Sequence, residues 1–197
     1  VIFFVLFLDH LWFAIIPPIL FAALNAVDYA FGWFSEMQGE DRGNVGTILY
    51  PISYVILMLV FFRTSYWGLA VLGILTMAFG DAGASIIGRA FGKTTYTING
   101  ETRSIAGTAT MFIISFLIAL IVCIAYGGQF GIHLRLLTLV SASFIIAGIA
   151  TVVEALSIKG SDNITVPVLT ALAAWALFAL FMPNVLGNEA IVNQPLF

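Results

Sequence analysis

The feature that most constrains this chain is a succession of long apolar runs with almost no charge inside them. Residues 45–62, 108–127 and 164–183 contain no charged side chain. Residues 12–34 hold only Asp28, with Asn25 as a second polar group, and residues 67–88 hold only Asp81. Residues 133–157 have Arg135 at their start and Glu154 near their end. A helix needs about 20 apolar residues to cross the hydrocarbon of a bilayer, and these six runs are close to that length. Residues 1–8 are too short to cross and read as the end of a seventh span. The chain has no initiator Met, so an earlier segment is expected. Transmembrane barrel strands would show short alternation of apolar and polar residues; these runs are long and continuously apolar. The expected fold is therefore all-α: one integral membrane domain over residues 1–197, a polytopic bundle of six full spans plus the end of an N-terminal one.

Composition excludes the alternatives. Hydrophobic residues make up 61% of the chain and charged ones 9%, whereas a soluble fold carries roughly 25% charge. Neither a soluble enzyme nor a disordered chain fits. A net charge of −3 supplies no phosphate-neutralising face, which argues against nucleic acid as a partner. The single Cys123 lies in an apolar run and allows neither an intrachain disulfide nor a CxxC metal site. His10 and His133 fall at the opposite end of the spans from most cations and read as interfacial.

The connecting segments alternate in charge. One set holds Arg42, Arg89, Lys93, Arg103 and Lys159; the other holds Arg63 and Arg135. The positive-inside rule puts the first set in the cytoplasm. Cytoplasmic loops are then expected at 35–44, 89–107 and 158–163, with the tail 184–197 outside. The Pro17-Pro18 pair is expected to break the first full helix.

Charges inside a membrane are costly and mark function by default. Asp81 sits within its span and is followed by Gly83, Ala84, Ser85, Gly88 and Arg89. Gly80, Ala84 and Gly88 recur every fourth residue, a face that lets a helix or a ligand approach the backbone. Helix packing accounts for the small residues equally well, but it does not account for the aspartate. The next polar stretch carries Arg89, Lys93 and Arg103, and Ser104 to Gly107 open the following helix. A helix N-terminus beside cations is an anion site; the bland alternative is a solvated positive loop. Carboxylate and cations on one side of a membrane suit a magnesium–polyphosphate ligand.

Two further clusters lie at the same end. One runs from Glu154 through Lys159, Ser161, Asp162 and Asn163 to Pro167. Asp162 or Ser161 can cap the last helix, and Pro167 suits its first turn. Glu154 lies about one turn inside and is no cap. The other cluster holds Arg42 and Asn44 and ends in Tyr50-Pro51. Arg42 is either a phosphate contact or a snorkelling loop charge. Asn25 and Asp28 share a helix face and either pair with another helix or line the site. No Walker A loop, GxGxxG, HExxH or GxSxG occurs.

Four blocks in one order carry a resemblance: Gly80-Asp81-Ala-Gly-Ala-Ser85-Ile-Ile-Gly88-Arg89-Ala-Phe-Gly92-Lys93; Arg103-Ser104-Ile-Ala-Gly107-Thr108; Val153-Glu154-Ala-Leu; and Asp162-Asn163-Ile-Thr-Val-Pro167. Together they resemble the CTP-dependent lipid kinases, which comprise phytol kinase, dolichol kinase and a diacylglycerol kinase. The stretch from Arg42 to Pro51 resembles a fifth segment. The likeness covers roughly residues 40–170 and is greatest to phytol and polyprenol kinases. The family pattern has Lys-Ser where this chain has Arg103-Ser104. It also has an Arg-Lys motif near the N-terminus that this chain lacks.

The resemblance implies phosphoryl transfer from CTP to a membrane isoprenoid alcohol, with Mg2+ as cofactor. Asp81 would hold the metal with Asp162 or Glu154. Arg89, Lys93, Arg103, Ser104, Gly107, Asn163 and Arg42 would bind the nucleotide. Lys159 would neutralise developing charge, and Asp162 or Glu154 would orient the lipid hydroxyl or take its proton. The expected partners are CTP, the alcohol and the bilayer, the active site lies on the cytoplasmic side, and homo-oligomerisation is left open. Phosphatidate cytidylyltransferases share part of the first two blocks, but their C-terminal signature is missing here. A small transporter is the other alternative, although the two halves show no repeat with matched broken helices.

Overall fold

The computed structural model describes residues 11–31, 45–62, 64, 66–129, 135–158 and 160–181. Side chains at 126–129 and 181 are outside that description, as are Arg42, Lys159, the segments 1–8 and 35–44 and the tail 184–197. Helix α1 is Leu11–Phe31, α2 is Gly46–Phe61, and α3 is Trp67–Leu75. A π-helical turn, Thr76–Asp81, joins α3 to α4, Ala82–Phe91. A β-hairpin follows, with β1 at Thr95–Ile98 and β2 at Glu101–Ser104. Then come α5, Ile105–Gln129; α6, Leu136–Leu156; and α7, Asp162–Phe181.

Among the described residues five helical runs are long and apolar enough to cross a membrane: α1, the continuous run Trp67–Phe91, α6, and most of α5 and α7. The run expected at 45–62 forms α2, which has only 16 residues. At 1.5 Å per residue it rises roughly 24 Å, short of the ~30 Å hydrocarbon core. The Pro17-Pro18 pair does not break α1, which runs through both prolines. A missing amide donor is tolerated where neighbouring groups re-satisfy the freed carbonyls.

The packing has the inverted logic of a membrane protein. Small residues fill the interior: Ala70, Ala119, Ala147, Ala150, Ala171 and Ala174 are fully buried. Large apolar side chains such as Leu24, Ile121, Val152 and Leu180 face outward. Lipid tails are as apolar as leucine, so association rests on close backbone approach and packing rather than on apolar burial. Gly73 shows this directly, because a Cβ there would strike the backbone carbonyl of Pro167. Leu57, Met58, Leu69, Leu72 and Ile146 complete the main core.

The hairpin is the only sheet among the described residues. Its antiparallel register pairs Thr95 with Ser104, Tyr96 with Arg103, Thr97 with Thr102 and Ile98 with Glu101. Asn99 and Gly100 form the turn with φ of 53° and 84°. Two successive positive φ values make a type I′ turn, which Asn-Gly favours. The Ile105 N–H donates to the Thr94 carbonyl at 3.0 Å and closes the base. The segment expected to be a loop at 89–107 is therefore the end of α4, a hairpin and the first turn of α5.

Candidate functional site

Five pieces converge at one end of the bundle: α4, the hairpin, the start of α5, the end of α6 and the start of α7. Their meeting point is Arg103 on β2. Its Nη1 forms an ion pair with Glu154 Oε1, and its Nη2 lies 3.8 Å from Asp162 Oδ2. Nη2 also donates to the Ser157 carbonyl at 3.1 Å. The three charged side chains are 6–16% exposed. Glu154, in the last turn of α6, meets a cation brought to it by a strand. Asn99 adds a second tether, donating from Nδ2 to the Leu156 carbonyl at 2.7 Å. The hairpin is thus fastened at both tip and base to the free carbonyls that end α6.

The start of α7 is ordered by its own side chains. Asp162 Oδ1 accepts from the backbone N–H of Asn163 at 3.0 Å and from its Nδ2 at 3.1 Å. Gly160, with φ of 79°, makes the turn between α6 and α7. Thr165 Oγ1 lies 2.7 Å from Ser157 Oγ, which ties the two helix ends together. The Ser161 hydroxyl donates to the Ile158 carbonyl at 2.7 Å, so it stabilises the turn rather than capping α7.

The small-residue face of α4 packs on the start of α5. A Cβ on Gly88 would lie 2.8 Å from Ser104 Oγ, and one on Gly107 would lie 2.9 Å from the Ala84 carbonyl. Ser104 is the residue before α5, and its Oγ accepts the Gly107 N–H at 3.0 Å, an N-cap. That amide is already engaged, and Gly107 is buried. In this arrangement Ser104 and Gly107 hold the start of α5 against α4. Packing therefore accounts for the small residues, and Gly80 similarly makes room for Met111.

Asp81 is the remaining element. It ends the π-helical turn, where one extra residue per turn re-aims the side chains that follow; such turns recur at functional sites. Asp81 lies within electrostatic reach of Asp162, Arg103 and Arg89. Among the described residues its carboxylate has no hydrogen bond or ion pair. Further along the same helix, Arg89 Nη1 donates to Ser85 Oγ at 2.5 Å, and Arg89 and Lys93 are both exposed.

The structure thus brings together Asp81, Arg89, Arg103, Ser104, Gly107, Glu154, Asp162 and Asn163. Lys93 stands at the rim. Arg42 and Lys159 lie outside the described residues. Asn25 and Asp28 are buried on α1, and Asn25 donates to the Phe21 carbonyl at 2.7 Å. No group of three or more His, Cys, Asp or Glu side chains that could hold a metal ion occurs among the described residues. A magnesium ion needs no such cage: one or two carboxylates, water and substrate phosphates suffice. The uncommitted Asp81 fits that requirement. Glu154 is committed to Arg103.

Sequence reasoning passed over Asn99, Ser157 and Thr165. The Asn99-Gly100 pair, flanked by the alternating Thr95-Tyr96-Thr97-Ile98, was the available signal for the hairpin.

Comparison with known proteins resolves the family. A phytol kinase of the cyanobacterium Synechocystis is 33% identical over 165 residues, covering 84% of this chain and 68% of the relative. This chain belongs to the phytol kinase family. Phytol kinase 1, chloroplastic, of Arabidopsis thaliana is 35% identical over 65% of the chain. A probable chloroplastic phytol kinase of Triticum aestivum is 31% identical over 85% of it. The chain spans 43% and 58% of these two plant phytol kinases. No protein-family model matches the chain, and no solved structure matches it.

Proposed function

We propose that this chain carries the catalytic centre of a membrane lipid kinase that moves the γ-phosphoryl group of CTP to the hydroxyl of an isoprenoid alcohol of the phytol type. The observation that carries the reading is the uncommitted Asp81 carboxylate beside the Arg103–Glu154–Asp162 cluster at a membrane boundary. Membership of the phytol kinase family supports the acceptor class. The choice of CTP rests on the likeness of the blocks at residues 80–108 and 153–167 to the CTP-dependent kinases. The cations of the hairpin end favour the cytoplasmic side.

Phosphoryl transfer asks for positioning and charge neutralisation rather than covalent catalysis by the protein. Asp81 is the residue that would hold magnesium, which would neutralise charge on the triphosphate. Arg89 and Lys93, exposed at the end of α4, would bind the outer phosphates. Arg103, fixed by Glu154 and the Ser157 carbonyl, would present its remaining N–H groups to the transferring group. The lipid oxygen forms its bond to the γ-phosphorus as the bond from that phosphorus to the bridging oxygen breaks, and CDP leaves. The hydroxyl proton passes to Asp162, whose Oδ2 lies 3.8 Å from Arg103 and is held less closely than Glu154.

The test is transfer in liposomes with CTP or ATP as donor and phytol, a longer polyprenol or diacylglycerol as acceptor. The expected product is an isoprenoid monophosphate, formed best with CTP and only with magnesium. Substrate flux across the membrane without nucleotide would contradict the reading and favour a transporter.

A further inference from the structure

Below the hairpin the bundle has an open groove of about 490 Å3. Tyr96 from β1, Ile105, Thr108, Ala109 and Phe112 from α5 and Thr151 from α6 line it. Ile105, Ala109 and Ile113 recur every fourth residue and are exposed on the lipid-facing side. Each of the three hydroxyls of the lining has a hydrogen-bond partner. Tyr96 Oη and Thr108 Oγ1 are 2.6 Å apart, and Thr151 Oγ1 donates to the Ala147 carbonyl at 2.7 Å. The groove therefore offers hydrocarbon to its occupant. Ordered water needs two or more polar partners, so the lining does not suit it.

The groove ends at the candidate site. Tyr96 is the cross-strand partner of Arg103, Ile105 follows Ser104, and Thr151 lies one turn before Glu154 on α6. Further from the hairpin, Phe112 meets Phe144 edge to face with centroids 5.1 Å apart. From Thr151 to Phe144 is two turns, roughly 10 Å.

We propose that this groove receives the hydroxyl-proximal part of the isoprenoid chain and so sets the acceptor's shape. The proposal rests on the lipid-kinase reading above. The volume falls within the ~300–1,000 Å3 of small-molecule sites, and the length takes only the first part of a long chain. The rest lies in the bilayer. A tail that leaves lipid for this groove gains nothing from the hydrophobic effect, because both surroundings are apolar. Discrimination must come from contact geometry: methyl branches against Ala109 and Phe112, compared with a straight acyl chain.

The test uses the chain in phosphatidylcholine liposomes without nucleotide. The probe is an isoprenoid alcohol carrying a diazirine near its hydroxyl end. Labelling is expected on α5 at 105–113 and on α6 at 144–151, competed by phytol and not by a straight-chain alcohol. Ala109→Trp, a lipid-facing change that fills the groove, should lower labelling by about tenfold or more; Ala109→Leu should do so partially, and it covers the case in which the larger variant misfolds. Labelling spread over all lipid-facing helices, or unaffected by phytol, would overturn the groove even if phosphoryl transfer persisted. Groove labelling in a folded protein that transfers no phosphate would uphold the site and contradict the kinase reading.

Discussion

Asp81 and Arg103, on which the proposed reaction most depends, are held in opposite ways. Asp81 has no fixed partner among the described residues, so replacing it removes ligand chemistry and little structure. Asp81→Asn should keep its melting temperature in detergent and lose turnover by about 100-fold or more; near-normal turnover would remove the metal assignment. Arg103 is the reverse, because it holds Glu154 and leans on Asp162. Arg103→Ala strands a buried carboxylate, a loss of about 3 kcal/mol by the usual cost of breaking such a pair. Arg103→Lys keeps the charge but has no planar fork to reach Glu154 and the Ser157 carbonyl together. Thermal unfolding of both variants should place the Lys protein between wild type and the Ala protein.

Elements position these residues through two devices, a π-helical turn and a hairpin. The hairpin depends on Asn99 and Gly100, both at positive φ. Gly100→Val forces a β-branched residue into left-handed backbone, at about 1–2 kcal/mol, and nothing lies within 4 Å of a Cβ placed there. The bundle should therefore stay folded while the strap over α6 loosens, which limited proteolysis at 94–104 would detect as faster cleavage. The spans were legible in the sequence because an uninterrupted apolar run has few other solutions. The site was legible only as separate clusters. Arg103 and Glu154 are joined across two helices, and no local pattern announces that pairing. The π-helical turn also has no residue signature at Thr76–Asp81. Pro17-Pro18 was misread because its cost in water exceeds its cost inside a packed membrane bundle.

The hairpin, the end of α4 and the starts of α5 and α7 lie at one end of the bundle, the end proposed to face the cytoplasm. Cys123 is the single cysteine and is buried, so one introduced thiol reports topology cleanly. Thr102→Cys on the exposed strand edge should react with an impermeant maleimide from the cytoplasmic side only; reaction from the opposite side would reverse the orientation. The central claim concerns which phosphorus reaches the lipid. Folded protein in phytol-containing liposomes, supplied with magnesium, should be given CTP labelled at either the γ or the α phosphate. The γ label is expected in the lipid product and the α label in released CDP. Label from the α phosphate in the lipid would show cytidylyl transfer and contradict the kinase assignment.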